Sequence, residues 1–172
     1  MYAGAVIGSC PDFDLADCDF IGNAATSSTH GALTVLNCSG TLRTHARPAI
    51  MAGNYAQGGG ALIIQSLGAL NISAPVYPLL VISNSATSVG GALWVGDYAT
   101  ATVAGAVHFT GNSAVLGGAI MASNHAVLTL IPTNGLAPLF IGNAAVNNGG
   151  AINLMATSRV HAVNCTFREN TA

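Results

Sequence analysis

Four aspartates, Asp12, Asp14, Asp17 and Asp19, fall at near-alternate positions beside Pro11. Carboxylate oxygens are the hard ligands that calcium takes, so this run is the candidate metal site of the chain. It lacks the glycine and the terminal glutamate of an EF-hand loop, and a solvated acidic loop accounts for the same spacing. The histidines His30, His45, His108, His125 and His161 show no metal-ligand spacing and read as turn or surface residues. No cofactor is expected. Acid–base chemistry on a polysaccharide would need two carboxylates, or a carboxylate with a basic partner, in one groove. Between Asp19 and Glu169 the sequence offers only Asp97, and it contains no lysine. A catalytic reading is therefore poorly supplied.

Charge excludes a second class of partner. The 172 residues carry a net charge of -2, and the only fixed cations are Arg43, Arg47, Arg159 and Arg168. Binding to nucleic acid draws on clustered Lys and Arg that displace counterions, and no such cluster exists. Mean hydropathy is high at +0.56, yet Gly, Asn, Ser and Pro break every apolar run well short of the roughly 20 residues a spanning helix requires. The apolar residues belong to a core.

What must position any site is a repeat. Asn-x-Ala recurs at Asn23, Asn54, Asn84, Asn112, Asn143 and Asn170, at spacings of 31, 30, 28, 31 and 27 residues. Three residues before each Asn stands Phe20, Met51, Val81, Phe109, Phe140 or Phe167. A second landmark follows, Gly-Gly-Ala-Leu/Ile at Gly59-Gly60, Gly90-Gly91, Gly117-Gly118 and Gly149-Gly150, with the looser His30-Gly31-Ala32-Leu33 in the first repeat. Two landmarks on one period mean one unit copied and stacked. The runs between them are β-branched and aliphatic, four to six residues long, which is strand composition.

One repeat reads as three short strands: the run after Gly-Gly, a middle run, and the run into the Asn. The expected fold is all-β, a right-handed parallel β-helix of about six rungs of 27–31 residues, the hand following from the right-handed preference of parallel crossovers. Residues 1–172 form a single β-helix segment. Both ends read as interior to a longer array, because Gly4-Ala5-Val6 is a partial repeat and Ala172 closes an Asn-x-Ala; flanking rungs of the same chain are then expected neighbours.

Each landmark has a mechanical expectation. The Asn should take the left-handed backbone of a tight turn, with its amide bonding to the copies above and below. Phe20, Phe109, Phe140 and Phe167 should stack inward, and the glycine pairs, with Gly60, Gly91, Gly118 and Gly150 second in each, should supply positive φ at a corner. In the strand after Gly-Gly, alternation turns Leu33, Leu62, Leu93, Ile120 and Ile152 inward, with Val35, Ile64, Val95, Ala122 and Leu154. It turns Thr34, Ile63, Trp94, Met121 and Asn153 outward. In the strand before the Asn, Ile21, Ile50, Leu80, Ile82, Leu139 and Ile141 face out, an aliphatic surface that is the candidate interface. Cys10 and Cys38 occupy nearly the same place on adjacent rungs, so a disulfide is geometrically possible; Cys18 and Cys165 share a register five rungs apart and are expected to be free. A flat ice-binding face would need threonines in register, and Thr100 with Thr102 is an isolated pair.

Phe-x-x-Asn and Gly-Gly-Ala-Leu/Ile, paired and repeated, resemble the repeats of the chlamydial polymorphic membrane proteins, and the resemblance covers nearly the whole chain. It implies a non-catalytic surface β-helix, the passenger of an autotransporter that acts as an adhesin, located extracellularly or at the outer membrane, with a protein or glycan receptor as partner. Two other classes compete. Pectin lyase-like β-helices cleave or epimerise polysaccharides, which would make this a lyase or hydrolase, and a plain solenoid can serve as a structural spacer. No nucleic acid partner and no membrane span in this segment are expected.

Overall fold

The computed structural model describes residues 4–26 and 29–172. Every strand pairing between rungs is parallel, and no helix interrupts the coil among the described residues. Six strands, Ala5–Gly8, Leu33–Leu36, Leu62–Gln65, Leu93–Val95, Ile120–Ala122 and Ile152–Leu154, stack in chain order as the first face and mark off about five turns. The chain is thus an all-β parallel β-solenoid.

The second face holds the middle runs, Phe13–Ala16, Ser39–Arg43, Ala69–Ile82, Thr100–Thr110, Val127–Ile131 and Arg159–Ala162. The runs into the Asn (Phe20–Ile21, Ala49–Ala52, Leu139–Ile141 and Thr166–Arg168) extend the same sheet. In two rungs the middle run and the run into the Asn are not separate strands: Ala69–Ile82 and Thr100–Thr110 pass through both, with a register shift between Gly105 and Val107 at the bend. Gly105 is at φ 81°, and a Cβ there would meet the Ala74 carbonyl, so the bend is possible because residue 105 has no side chain.

A third face is not legible as strand in the sequence. Tyr55–Gly58, Ser85–Val89, Ser113–Leu116 and Ala144–Asn148 form a four-stranded sheet between the Asn and the glycine pair. Its composition is small and polar, without the β-branched run that marks the other strands. The Ala of Asn-x-Ala is its inward residue, and Ala25, Ala56, Ala86 and Ala114 are all buried.

The core follows the expected alternation in the middle rungs. Leu33, Leu62, Leu93 and Ile120 are at most 3% exposed, as are Val35, Ile64, Val95 and Ala122. Full burial of such a side chain contributes about 1.5–3 kcal/mol. Ile152 and Leu154, in the last rung, are more open because a neighbour stacks on one side only. Phe109 and Phe140 stack at 4.9 Å between centroids, and Phe140 and Phe167 at 4.7 Å, with ring planes 3° and 7° apart.

Three expectations are corrected. The outward column of the first face is not a solvent surface: Thr34, Ile63 and Met121 are buried and Trp94 is half-buried. Gly58 and Gly59 lie against Trp94 and Ile63, so the glycine corner is re-entrant and covers that column from outside. The left-handed residue of the Asn corner is not the Asn but the one before it: Gly22, Gly53, Ser83, Gly111, Gly142 and Glu169 take φ from 51° to 66°. At the other corner only the first glycine of each pair is left-handed, with Gly59, Gly90, Gly117 and Gly149 between 52° and 67°. The second has a different reason to be glycine. A Cβ on Gly60, Gly91 or Gly118 would run into backbone carbonyls of the following rung.

Between the first and second faces the chain turns through pairs of left-handed residues, Ser66-Leu67, Asp97-Tyr98, Asn124-His125 and Ala156-Thr157. Backbone bonds such as Gly68 N to Gln65 O at 3.0 Å and Ala99 N to Gly96 O at 3.1 Å close these turns, and two successive positive φ values give them type I′ character. None contains glycine at the left-handed positions, so each holds conformational strain.

Candidate binding faces

The acidic run is the first place to look for chemistry. The Arg43 guanidinium donates from Nε to Asp14 Oδ1 at 2.9 Å and from Nη2 to Oδ2 at 2.7 Å. Asp17 accepts from the backbone N–H groups of His45 at 2.7 Å and Ala46 at 3.1 Å. Asp19 accepts from Ile50 N at 2.9 Å and pairs with Arg47 at 3.0 Å, while Asp12 accepts from its neighbour Phe13 N. The bonds from Arg43 hold the Asp14 carboxyl below its ordinary value, the backbone donors led by His45 N do the same for Asp17, and Asp14 raises Arg43 in turn. Asp14, Asp17 and Asp19 therefore clamp the first rung to the second. The proposed calcium ligands do not converge, and among the described residues no group of three or more His, Cys, Asp or Glu side chains is placed to hold a metal.

Cys10 and Cys38 are bonded across adjacent rungs with a Cα–Cα distance of 5.1 Å, and Cys18 and Cys165 are free. Asp97, the lone acid of the coil body, accepts from Asn124 Nδ2 at 2.9 Å one rung away. The Tyr98 and His125 rings stack beside it at 4.7 Å, and Thr157 Oγ1 lies 2.7 Å from His125 Nδ1. These contacts continue the turn ladder.

The aliphatic surface beside the Asn corner is assembled in two outward columns. Pairing registers put Ile50, Leu80, His108, Leu139 and Thr166 in the first, and Ile21, Ala52, Ile82, Thr110, Ile141 and Arg168 in the second. Between them runs the inward column of Phe20, Met51, Val81, Phe109, Phe140 and Phe167. Ile21 is 63% exposed, and Ile50, Leu80, Ile82, Leu139 and Ile141 are half-buried by their neighbours in the columns. His108 sits between Leu80 and Leu139, and burial pushes its pKa below the ordinary imidazole value. Sequence spacing suggests no role for His108; only the register shows it at the centre of the surface.

Behind the surface the Asn residues are locked. Asn54, Asn84, Asn112 and Asn143 are wholly buried. The Asn84 amide donates to Asn112 Oδ1 at 3.0 Å and to Met51 O at 2.8 Å, and the same pattern repeats along the spine from Asn23 to Asn170. Their donors and acceptors serve the coil.

Two hollows lie on the outer surface among the described residues. An open one of about 290 Å³ on the second face is lined by Asp12, Ser39, Thr41, Asn71, Thr100 and Thr102 among others. Register places Thr41, Asn71, Thr102 and Thr129 in one column, so the threonines are not the isolated pair expected; unequal rung lengths hide the alignment. Asn71 interrupts the column, and its neighbour column of Ser39, Ala69, Thr100 and Val127 is only half hydroxylated. A smaller hollow of about 190 Å³ in the re-entrant corner is lined by Thr29, Gln57, Gly58, Ser88, Val89 and Trp94. Trp94 Nε1 donates to Ser123 Oγ at 3.0 Å on the next rung.

Fold and faces together define a parallel β-solenoid with a rigid amide spine and an aliphatic lateral face. Comparison with protein-family models, with curated proteins and with solved structures gave no match.

Proposed function

We propose that this chain is a non-catalytic surface-binding β-solenoid of the adhesin or passenger type, and that a protein partner docks on the lateral face of Ile21, Ile50, Leu80, Ile82, Leu139 and Ile141. The observation that carries the reading is the register: these residues share two outward columns, with Ala52, His108 and Thr110 among them, on a strand face backed by the buried Asn spine. A rigid apolar patch rimmed by polar residues is the arrangement that protein interfaces use. A protein is favoured over a glycan because this face presents aliphatic surface and few hydrogen-bonding side chains. The resemblance of the repeats to those of the chlamydial polymorphic membrane proteins supports a cell-surface or extracellular location.

The polysaccharide-enzyme alternative draws nothing from Asp97, whose carboxylate is held by Asn124 and stands without a second acid in the coil body. Beads coated with the purified chain should attach to cultured animal cells. Protease treatment of the cells should abolish attachment and glycosidase treatment should leave it intact. The reverse pattern would make the partner a glycan, and absence of attachment would leave the solenoid as a spacer.

A further inference from the structure

Trp94 is the only tryptophan of the chain, and two glycines make room for it. A Cβ on Gly58 would lie 2.7 Å from Trp94 Cε3, and one on Gly96 would lie 3.1 Å from Nε1. Neither glycine has a left-handed φ, so it is the indole and not the backbone that calls for glycine at both positions. The bond from Nε1 to Ser123 Oγ fixes the tilt of the ring. Trp94 is half-buried, and part of its surface lines the hollow of about 190 Å³ in the re-entrant corner.

A β-bulge shapes the opposite wall. Ser85–Val89 has five residues where Tyr55–Gly58 and Ser113–Leu116, on either side of it, have four. Thr87 and Ser88 together stand opposite Gln57, an arrangement that re-aims side chains locally. Gln57 and Ser88 are exposed and line the hollow together with Thr29. These three bring a carboxamide and two hydroxyls to its rim, and none of their side chains is hydrogen-bonded among the described residues. No charged side chain lines the hollow.

These features select a class of ligand. An aromatic surface takes an apolar C–H face, while a carboxamide and hydroxyls exchange hydrogen bonds with the hydroxyls of a ligand. A charged ligand finds no counter-charge here, and a wholly apolar one strips water from the polar rim without replacing its bonds. A peptide strand finds no open edge, because the backbone of the corner is paired between rungs, Gly59 N to Val89 O and Gly90 N to Leu116 O, both at 2.9 Å. A cavity of about 150 Å³ holds benzene, so the hollow has the size for one six-membered ring.

We propose that this corner is a saccharide site that binds one neutral pyranose unit, its C–H face against the Trp94 indole and its hydroxyls on Gln57, Ser88 and Thr29. The site goes beyond the lateral aliphatic face and does not depend on a partner there. A ring of about a dozen heavy atoms contacted on one side binds with a Kd on the order of 1 mM, too weak to hold a cell by itself.

The sole tryptophan supplies the readout. Methyl β-glucoside, methyl β-galactoside and methyl β-N-acetylglucosaminide are titrated separately into the 172-residue protein. At least one should change Trp94 emission saturably and receive saturation transfer from the protein by NMR. Trp94→Ala should abolish that transfer. Gln57→Ala, at an exposed position, should raise Kd about fivefold, the effect of one lost hydrogen bond. Gly58→Ala should close the hollow and abolish binding with the circular dichroism of the coil retained. The Ile82→Asp and Ile141→Asp pair should leave Kd unchanged, which separates this site from the lateral face. Absence of a saturable response to all three glycosides would overturn the proposal, as would undiminished binding by folded Gln57→Ala and Gly58→Ala. Tighter binding of N-acetylprolinamide than of every glycoside would also overturn it, by making the occupant a peptide.

Discussion

Asn112 donates its side-chain amide to Asn143 Oδ1 at 2.9 Å and its backbone N–H to the same oxygen at 3.0 Å, with both residues fully buried. Asn112 also donates to Val81 O and accepts twice from Asn84. Asn112→Ala therefore strands polar groups on both neighbouring rungs, and buried groups without partners cost about 1–3 kcal/mol each. Denaturant titration should show a loss of roughly 3–5 kcal/mol. Asn23→Ala, at the end of the spine, should cost about 1 kcal/mol, because fewer partners are stranded and water reaches them.

Gly91 and Gly53 separate two reasons for being glycine. A Cβ on Gly91 would meet the backbone of Gly118 and Ser113, whereas one on Gly53 meets nothing within 4 Å but sits at φ 62°. Gly53→Ala should cost about 1–2 kcal/mol, the penalty of a left-handed L-residue. Gly91→Ala must push adjacent rungs away from each other and should cost more than Gly53→Ala in the same titration.

Leu67 is 68% exposed at φ 65°, in a turn whose partner positions are Tyr98, His125 and Thr157. Nothing in the core depends on its side chain. Leu67→Asn should raise stability by up to about 1 kcal/mol, because Asn tolerates the left-handed region better; a fall in the melting midpoint would show that the side chain has a role the exposure does not reveal.

His108 makes stability pH-dependent with a definite sign. Burial lowers its pKa in the folded state, so the unfolded chain binds the proton more readily. Its contribution is fully present above the ordinary imidazole value of 6.5 and is lost as pH falls from there through the lower folded value. His30 is shifted the same way by burial and acts in the same window, whereas the lowered Asp14 and Asp17 act only below the ordinary aspartate value of 3.8. Denaturant midpoints measured from pH 7.5 to pH 5, a range set about the imidazole value, should fall for wild type and fall less for His108→Gln.

The sequence carries the period, the inward columns and the aliphatic face because those depend on alternation around one landmark per rung. It does not carry what depends on cross-section. The third face is rich in small and polar residues, with too few β-branched ones in succession to give a strand signature, and each of its four strands has a copy to pair with. Ile63 and Met121 occupy outward positions and are buried all the same; at Ile63 the cover is the glycine corner, where Gly59 lies against its side chain. The second glycine of each pair escapes a sequence reading because its requirement is set by the next rung, which no local window contains; the residue before each Asn answers instead to its own left-handed φ. The acidic run has the spacing of a ligand set, but Arg43, Arg47 and the backbone of the second rung supply its partners.

The most direct test of the binding account is attachment by a chain carrying both Ile82→Asp and Ile141→Asp. The two positions lie in one outward column with Thr110 between them, so both substitutions point to solvent in the free protein. A carboxylate there costs little when hydrated and much when a partner must desolvate it. Attachment of coated beads to cultured cells should fall at least tenfold, with circular dichroism and denaturant midpoint close to wild type. Undiminished attachment by a folded double variant would contradict the account.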